Sequence, residues 1–224
     1  MSAEKDAVWA FADHAASLKY EDIPADAIKA GKTFLLDSMG VGVVGSAAPW
    51  VDELWSSQAA FGVDTARGSA RVLASGRKLA LPSAALANAF QIHNSEFDCV
   101  HEPAVVHPMA VLLGAMLSAA DCDGYFESQI SGKALLTALI AGVDIAAGLG
   151  VASNAPLKFF RPSTAGGFGA AAALARMKGM DTGGIVNSMS TAYAQMGGTM
   201  QAHTEGSMLL AMQVLSRLTT PPWQ

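Results

Sequence analysis

Residues 81–121, LPSAALANAFQIHNSEFDCVHEPAVVHPMAVLLGAMLSAAD, contain two apolar stretches of helical character separated by a polar segment. The first stretch, 82–97, predicts one helix, and 107–122 predicts the next, entered through His107 and Pro108 because proline is favoured in a first helical turn. The segment between them, 93–108, holds three of the chain's five histidines together with three carboxylates and a cysteine. It is therefore the leading candidate for a functional site.

The composition indicates a folded protein that is poor in charge. Hydrophobic residues make up 51% of the 224 residues and charged residues 15%, which is the reverse of a disordered chain. A membrane protein is the alternative, since the mean hydropathy is +0.32, but aspartates interrupt the two longest apolar stretches, and buried helices are the better interpretation. A net charge of −5 without a basic run argues against nucleic acid as a partner. We predict no membrane contact.

Helical patterns also dominate outside the central segment. They cover 3–18, 23–45, 131–152 with Ser131 as a cap, 162–180, 181–198 beginning at Asp181, and a last helix from about His203 to Leu218. Residues 46–69 form a looser segment, and 70–82 predict two short strands around a Ser-Gly turn. The predicted fold class is all-α: a multi-helix, bundle-like domain over 1–218 with one short β-hairpin near residues 70–81, followed by an irregular tail over 219–224.

The polar segment allows three interpretations. His93, His101 and His107, with Glu96 and Asp98, are enough ligands for zinc or iron, but a metal motif's regular spacing is missing, and we predict no metal. Acid/base chemistry needs only a carboxylate and a histidine in one pocket, and it remains open beside a purely structural role at a helix end. Since His107 precedes a helix start, the helix dipole is expected to keep its imidazole neutral.

Two further groups of polar residues accompany helix starts. Lys158 and Arg161 precede a start that contains Ser163 and Thr164, where free N–H groups and the dipole favour an anion. The alternative is that the nearby glycines only permit close helix packing. His203 stands near the last predicted helix start, where a capping role and a catalytic role are both open.

Several motifs together resemble the MmgE/PrpD family. They are YEDIPADAIKAGKTFLLDSMGVGVVG at 20–45, the central segment 81–121, GKALLTALIAGVDIAAGLG at 132–150 and FRPSTAGGFGAAAALARMKGMD at 160–181, in this order. The family includes 2-methylcitrate dehydratase, cis-aconitate decarboxylase and iminodisuccinate epimerase. The resemblance implies a mostly helical domain that carries the active site, small di- or tricarboxylate substrates, and chemistry without metal or organic cofactor.

The resemblance also implies roles for individual residues. His107, Asp98 and Glu96 match the catalytic segment, and Arg161 stands where a histidine often occurs in the family. We expect Arg161, Ser163, Thr164, Lys158 and His203 to contact substrate carboxylates, and His93, His101 and Asn88 to support the site from behind.

The chain also departs from the family pattern. The usual Asp-Phe-Asp-Asp run is Glu96-Phe97-Asp98-Cys99, and a lysine expected after Glu205-Gly206-Ser207-Met208 is absent. The sequence after Val214 differs from the family, whose members continue into an α/β domain, so a truncated family member is expected.

The combined expectation is a cytoplasmic lyase, most readily a dehydratase of the 2-methylcitrate type, that abstracts a proton beside a carboxylate. Apolar helix faces without a cover predict a homodimer. The alternative is a catalytically silent relative that serves in binding or assembly.

Overall fold

A computed structural model of the chain describes residues 6–60 and 68–213. The helices in this part are α1 Ala7–Ser17, α2 Ala25–Gly45, α3 Val51–Ala59, α4 Leu81–His93, α5 Pro108–Asp121, α6 Gly132–Ala152, α7 Arg161–Met177, α8 Thr182–Ala194, α9 Gln201–Thr204 and α10 Leu209–Gln213. Strands β1 Ser69–Arg71 and β2 Lys78–Ala80 pair antiparallel with Ala70 opposite Leu79. The all-α class with one hairpin is confirmed.

The core is organised around α4 and α5, whose residues are almost all buried. α7 packs on α5, α6 packs on α7, and α2 covers α4 from the other side. α1 and α8 form an outer pair that also contacts α6 and α7. Two buried helices joined by residues 94–107 therefore hold the ends of the polar segment in fixed positions.

Small residues let α6 and α7 approach closely. A Cβ atom on Gly169 would lie 2.3 Å from the carbonyl oxygen of Gly142, and one on Gly142 would lie 2.9 Å from that of Gly169. At the end of α6, a Cβ on Gly150 would lie 2.5 Å from the carbonyl oxygen of Ala104, in the segment between α4 and α5. α6 thus supports this segment by direct backbone contact.

Several helix boundaries follow from capping. The Ser131 hydroxyl accepts from the N–H of Ala134 at 3.2 Å, and the Asp181 carboxylate accepts from Gly184 at 2.8 Å, as their positions in the sequence predict. At the other end of the fold, the Arg176 guanidinium donates to the carbonyl oxygens of Ala15, Ala16 and Leu18, and so caps the end of α1.

Three expectations about helices are wrong. The looser segment expected over 46–69 contains α3. This helix starts directly after Trp50, whose backbone is left-handed (φ 70°), and no sequence pattern predicted this turn. The helix expected over 82–97 ends at His93, and Glu96, which was expected to be helical, has a positive φ of 55°. The helix expected from His203 onward is interrupted at Gly206 (φ 61°), and the short helices α9 and α10 stand in its place. The expected tail 219–224 lies outside the described residues.

Among the described helices, α6 alone is long and apolar enough to cross a membrane by length and composition. Half of its most apolar window is buried within the fold, and it packs against α7. The core helix of a soluble protein passes the same test.

Substitution of Gly169 by alanine should lower the free energy of unfolding by about 1–3 kcal/mol, because the new methyl group would overlap the backbone of α6. Gly40→Ala is the matched control. Nothing lies within 4 Å of a Cβ at this exposed position of α2, and alanine has the higher helix propensity, so the control should gain up to about 1 kcal/mol. Urea denaturation measures both, and equal stability of the two variants would contradict the close α6–α7 contact.

Candidate active site

The segment between α4 and α5 closes on itself. His101 pairs with Val106 in an antiparallel bridge, in which the N–H of His101 donates to the carbonyl of Val106 at 2.9 Å. A three-residue 3-10 helix, Glu102–Ala104, lies inside the bridge, and His101 Nδ1 caps it by accepting from the N–H of Ala104 at 3.2 Å. His101 therefore shapes the segment, and the supporting role expected for it at an active site stays a prediction.

Asp98 is the centre of a buried polar cluster. Its Oδ1 lies 2.9 Å from His93 Nδ1 and 3.3 Å from His107 Nδ1, and its backbone carbonyl lies 3.1 Å from the same nitrogen of His107. The side chains of Asp98 and His93 are fully buried, whereas that of His107 is 19% exposed. The structure thus brings Asp98 and His107 together, and places His93 in the same cluster.

Glu96 lies at the edge of this cluster. Its Oε1 is 3.1 Å from His93 Nε2, and its side chain is 49% exposed. It reaches this position through a left-handed backbone conformation, and Val105, across the segment, is also left-handed at φ 50°. Such conformations are costly for residues other than glycine and concentrate at functional sites. Neither is visible in the sequence, which offers no glycine or asparagine at these positions.

The charges of the cluster support one another. Burial by itself would raise the pKa of Asp98, but hydrogen bonds from His107 and His93 and their positive charge outweigh it, so the pKa is lowered. Burial would likewise lower the pKa of His107, but the hydrogen bond and charge of Asp98, aided by Glu96, raise it. The helix dipole disfavours protonation of His107, and the carboxylate in contact has the stronger effect on its pKa.

The start of α7 lies beside the cluster. The Phe160 ring is 5.7 Å from the His93 ring, centre to centre, and Arg161 Nη1 donates to the carbonyl oxygen of Ala104 at 2.7 Å. Arg161 is thereby tied to the segment that carries Asp98 and His107. The contribution of Phe160 was not apparent from the sequence, since an aromatic residue before a helix start is common in any core.

Of the other residues expected to bind substrate, two make hydrogen bonds to backbone carbonyls and two are exposed. Buried Ser163 donates to the carbonyl of Gly197 at 2.8 Å, and the Thr164 hydroxyl lies 3.3 Å from the carbonyl of Phe160 within its own helix turn. Lys158 and His203 are exposed, and among the described residues their side chains have no hydrogen bond or ion pair with the cluster. Substrate contact by these four residues stays a prediction.

Asn88 connects α4 to other parts of the fold. Its Oδ1 accepts from the N–H of Leu73 at 2.8 Å, and its Nδ2 donates to Arg71 O and Ser118 Oγ. It therefore fixes the hairpin connection and α5 against α4. Its link to the cluster is α4 itself, the helix that also carries His93.

Cys99 is a protonated thiol. Burial, followed by the negative charges of Asp98 and Asp37, raises its pKa to about 12, so it is a poor nucleophile at neutral pH. Its side chain lines a cavity of about 240 Å³ between α2 and α6, together with Phe34, Met109 and Asp144. The lining of this cavity is mainly apolar and includes no lysine or arginine.

The cluster also has the composition of a metal site. The candidate ligand atoms of His93, Asp98 and His107 all lie within 4.8 Å of one another. The hydrogen bonds among the three side chains account for the same proximity. The expectation of a metal-free site stays a prediction.

The fold and the cluster define a helical domain that buries a carboxylate between two histidines. Comparison with known proteins gives the family of this domain. The MmgE/PrpD N-terminal domain matches residues 10–214, so the chain belongs to the MmgE/PrpD family. The chain is similar to the cis-aconitate decarboxylase-like protein oryM of Aspergillus oryzae, with 34% identity over 197 residues, which are 84% of this chain and 40% of the relative.

A second relative is the cis-aconitate decarboxylase of Aspergillus terreus, with 29% identity over 130 residues, 58% of this chain and 26% of the relative. The matched region thus spans well under half the length of these relatives. The family match and the names of these relatives indicate that the MmgE/PrpD family consists of enzymes that act on carboxylates.

The mutual stabilisation of Asp98 and His107 predicts a pH-dependent stability. Because the pKa of His107 is higher in the folded than in the unfolded protein, protonated His107 stabilises the fold at pH values below the unfolded pKa of about 6.5. This stabilisation is lost as the pH rises through the pKa of the folded protein. A lowered pKa in Asp98 stabilises the fold above about 3.9 and loses this effect as pH falls. His107→Gln should therefore destabilise the protein more at about pH 5.5 than at about pH 8.5 in urea denaturation.

Asp98→Asn supplies the control for this prediction. In the Asp98→Asn background the pH dependence of the His107→Gln effect should largely disappear, because its electrostatic partner is gone. An equal effect at both pH values in the otherwise native chain would contradict the pairing.

Proposed function

We propose that this chain is the acid/base domain of a lyase that acts on a small di- or tricarboxylate, with His107 as the proton-transferring group. The observation that supports the proposal is the position of His107 Nδ1, which faces two oxygen atoms of Asp98. Both oxygens accept hydrogen bonds, so Nδ1 carries the proton and Nε2 of the neutral ring has a free lone pair. His107 Nε2 is the base in this proposal.

The reaction would start at the carbon atom beside a substrate carboxylate. His107 Nε2 takes the proton from this carbon, and the resulting imidazolium is stabilised by Asp98, in the manner of other carboxylate–histidine pairs. In dehydration, the imidazolium returns this proton to the departing hydroxyl group, which leaves as water while the carbon–carbon double bond forms. In decarboxylation, His107 instead starts as the imidazolium and gives its proton to carbon, while the bond to the leaving carboxylate breaks and its electron pair shifts into the carbon skeleton; His107 then takes a new proton from water. Glu96 assists through its charge, which also raises the pKa of His107.

Arg161 is proposed to bind a substrate carboxylate. One of its nitrogen atoms is bonded to Ala104, which orients the guanidinium while other donors remain for an anion. It occupies the first position of α7, a 17-residue helix whose N-terminal dipole adds positive potential. Lys158, Ser163, Thr164 and His203 are further candidates for this role on the grounds of sequence.

The family resemblance and the named relatives favour different reactions. Dehydration of the 2-methylcitrate type is the expectation from the family resemblance, whereas both named relatives are decarboxylases or similar to one. We therefore propose both cis-aconitate and 2-methylcitrate as test substrates.

The second candidate function is a role in binding or assembly without catalysis. It is favoured by Cys99 in place of an acidic residue and by the missing lysine after Met208.

Turnover should depend on His107. In a direct assay for carbon dioxide release from cis-aconitate and for water loss from 2-methylcitrate, His107→Ala should lower kcat by about 10²–10⁴-fold, the usual contribution of a general acid or base. Asp98→Asn should lower kcat by at least about tenfold, and Arg161→Leu should mainly raise KM. His14→Ala on the surface of α1 is the control and should keep the native rate.

A matched binding measurement distinguishes the two candidate functions. If the native chain and His107→Ala are equally inert but bind cis-aconitate by calorimetry with similar affinity, the enzyme is excluded and the binding role stands. If neither turnover nor binding occurs, both are excluded.

We also propose that the protein acts as a homodimer in the cytoplasm. Leu36, Met39, Val43 and Val44 are exposed on the outer side of α2, and an apolar patch of this kind marks an interaction surface. Sedimentation equilibrium at micromolar concentration should show a dimer, and Val44→Lys should shift it toward the monomer. A native monomer over this concentration range would contradict the proposal.

A further inference from the structure

Three parts of the fold meet at the carbonyl oxygen of Ala104: the 3-10 helix Glu102–Ala104, the end of α6 and the start of α7. Ala104 is fully buried, and its carbonyl accepts from Arg161 Nη1 at 2.7 Å. Among the described residues, no backbone N–H donates to this oxygen. A buried carbonyl needs a hydrogen-bond donor, so the positions of this oxygen and of the guanidinium depend on each other.

The direction of this carbonyl is fixed by the backbone that follows it. The C=O of Ala104 and the N–H of Val105 belong to the same planar peptide group. The N–H of Val105 donates to the carbonyl of Glu102 at 3.0 Å, and Val105 itself is left-handed with a φ of 50°. The peptide group therefore cannot turn to follow a guanidinium that moves away.

The end of α6 approaches the same carbonyl so closely that only a glycine fits. A Cβ atom on Gly150 would lie 2.5 Å from the carbonyl oxygen of Ala104, 2.6 Å from its Cβ and 3.0 Å from its Cα. None of these atoms belongs to a flexible side chain, so the crowding cannot be relieved by a change of rotamer. Any side chain at position 150 would have to displace Ala104 or the end of α6.

The base of the Arg161 side chain is held independently of Ala104. The N–H of Phe160 donates to the carbonyl of Gly198 at 2.9 Å, and both Phe160 and Pro162 are buried. An arginine side chain has many rotamers from one fixed base. The bond to Ala104 therefore selects the direction in which the guanidinium points.

We infer that Gly150 is a positioning residue for Arg161. By leaving room for the carbonyl of Ala104, it sets the direction of the guanidinium, whose remaining donors bind the substrate carboxylate. Gly150 acts only through Ala104. The binding of substrate by Arg161 rests on the function proposed above, whereas the chain of contacts from Gly150 through Ala104 to Arg161 concerns the folded protein itself.

Nitrogen NMR of the 15N-arginine-labelled protein tests this chain of contacts without substrate. A guanidinium held by a buried carbonyl rotates slowly about its Nε–Cζ bond, so the two Nη nitrogens of Arg161 should give separate signals in the native protein. Arg161→Leu identifies these signals by their loss. In Gly150→Ala the two signals should merge, because the displaced carbonyl no longer holds Nη1. Merged signals in the native protein, or separate signals in Gly150→Ala, would overturn the inference.

Gly142→Ala is the matched control in the same helix. A Cβ on Gly142 would lie 2.7 Å from a side-chain atom of Leu112 and 2.9 Å from the carbonyl oxygen of Gly169, so the crowding is similar but does not involve Ala104. The Arg161 signals should stay separate in this variant, and also in Gly132→Ala, where nothing lies within 4 Å of the new Cβ. Merging in Gly142→Ala would show a general loosening of the fold and would overturn the inference.

A second variant covers the case in which Gly150→Ala does not fold. Combining it with Ala104→Gly removes the contact at 2.6 Å and keeps the contact with the carbonyl oxygen at 2.5 Å. This double variant should fold more readily and still show merged Arg161 signals. Separate signals in the folded double variant would contradict the role of Gly150.

The effect on substrate has its own kinetic test. In an active protein, Gly150→Ala should raise KM by about tenfold with kcat nearly unchanged, because a misdirected guanidinium weakens binding of the carboxylate. Gly142→Ala should leave KM at the native value. An unchanged KM in Gly150→Ala, or an equal rise in both variants, would exclude the positioning role. An inert native protein would instead exclude the proposed function, and the NMR comparison would still decide whether Gly150 directs Arg161.

Discussion

A single oxygen atom, Oδ1 of Asp98, lies within 3.3 Å of two imidazole nitrogens inside the protein. A carboxylate buried in this way is stable only when donors surround it, so both histidines must be held in place by the fold. The end of α4 supplies His93, and the start of α5 supplies His107. The close packing of these two helices, and the backbone contact of α6 with the segment between them, can be understood as the framework for this one interaction.

Much of the fold could be predicted because the helices obey local rules. Apolar spacing located most of them, and Ser131, Asp181 and Pro108 begin helices as their chemistry suggests. The errors occurred where the backbone departs from these rules. Trp50 takes a left-handed conformation without being glycine, and a single glycine, Gly206, ends a helix whose apolar pattern continues beyond it.

The site could be predicted in part. The sequence brought Asp98 and His107 together because both flank a short connection between two helices, and the structure confirms this proximity. The position of His107 before a helix start is visible in the sequence, whereas the carboxylate oxygen in contact, which raises the pKa of His107, is not. The approach of Glu96 to His93 depends on one positive φ angle and could be found only in three dimensions.

The cap that Arg176 places on α1 has a consequence for the synthesis of the protein. α1 packs chiefly against α8, and its final carbonyls are bound by a residue some 160 positions later in the chain. A ribosome releases α1 long before these partners exist, and contacts so distant in sequence form slowly. The buried face of α1 is therefore synthesised about 160 residues before the arginine that caps its end, and it stays uncovered until α8 has followed.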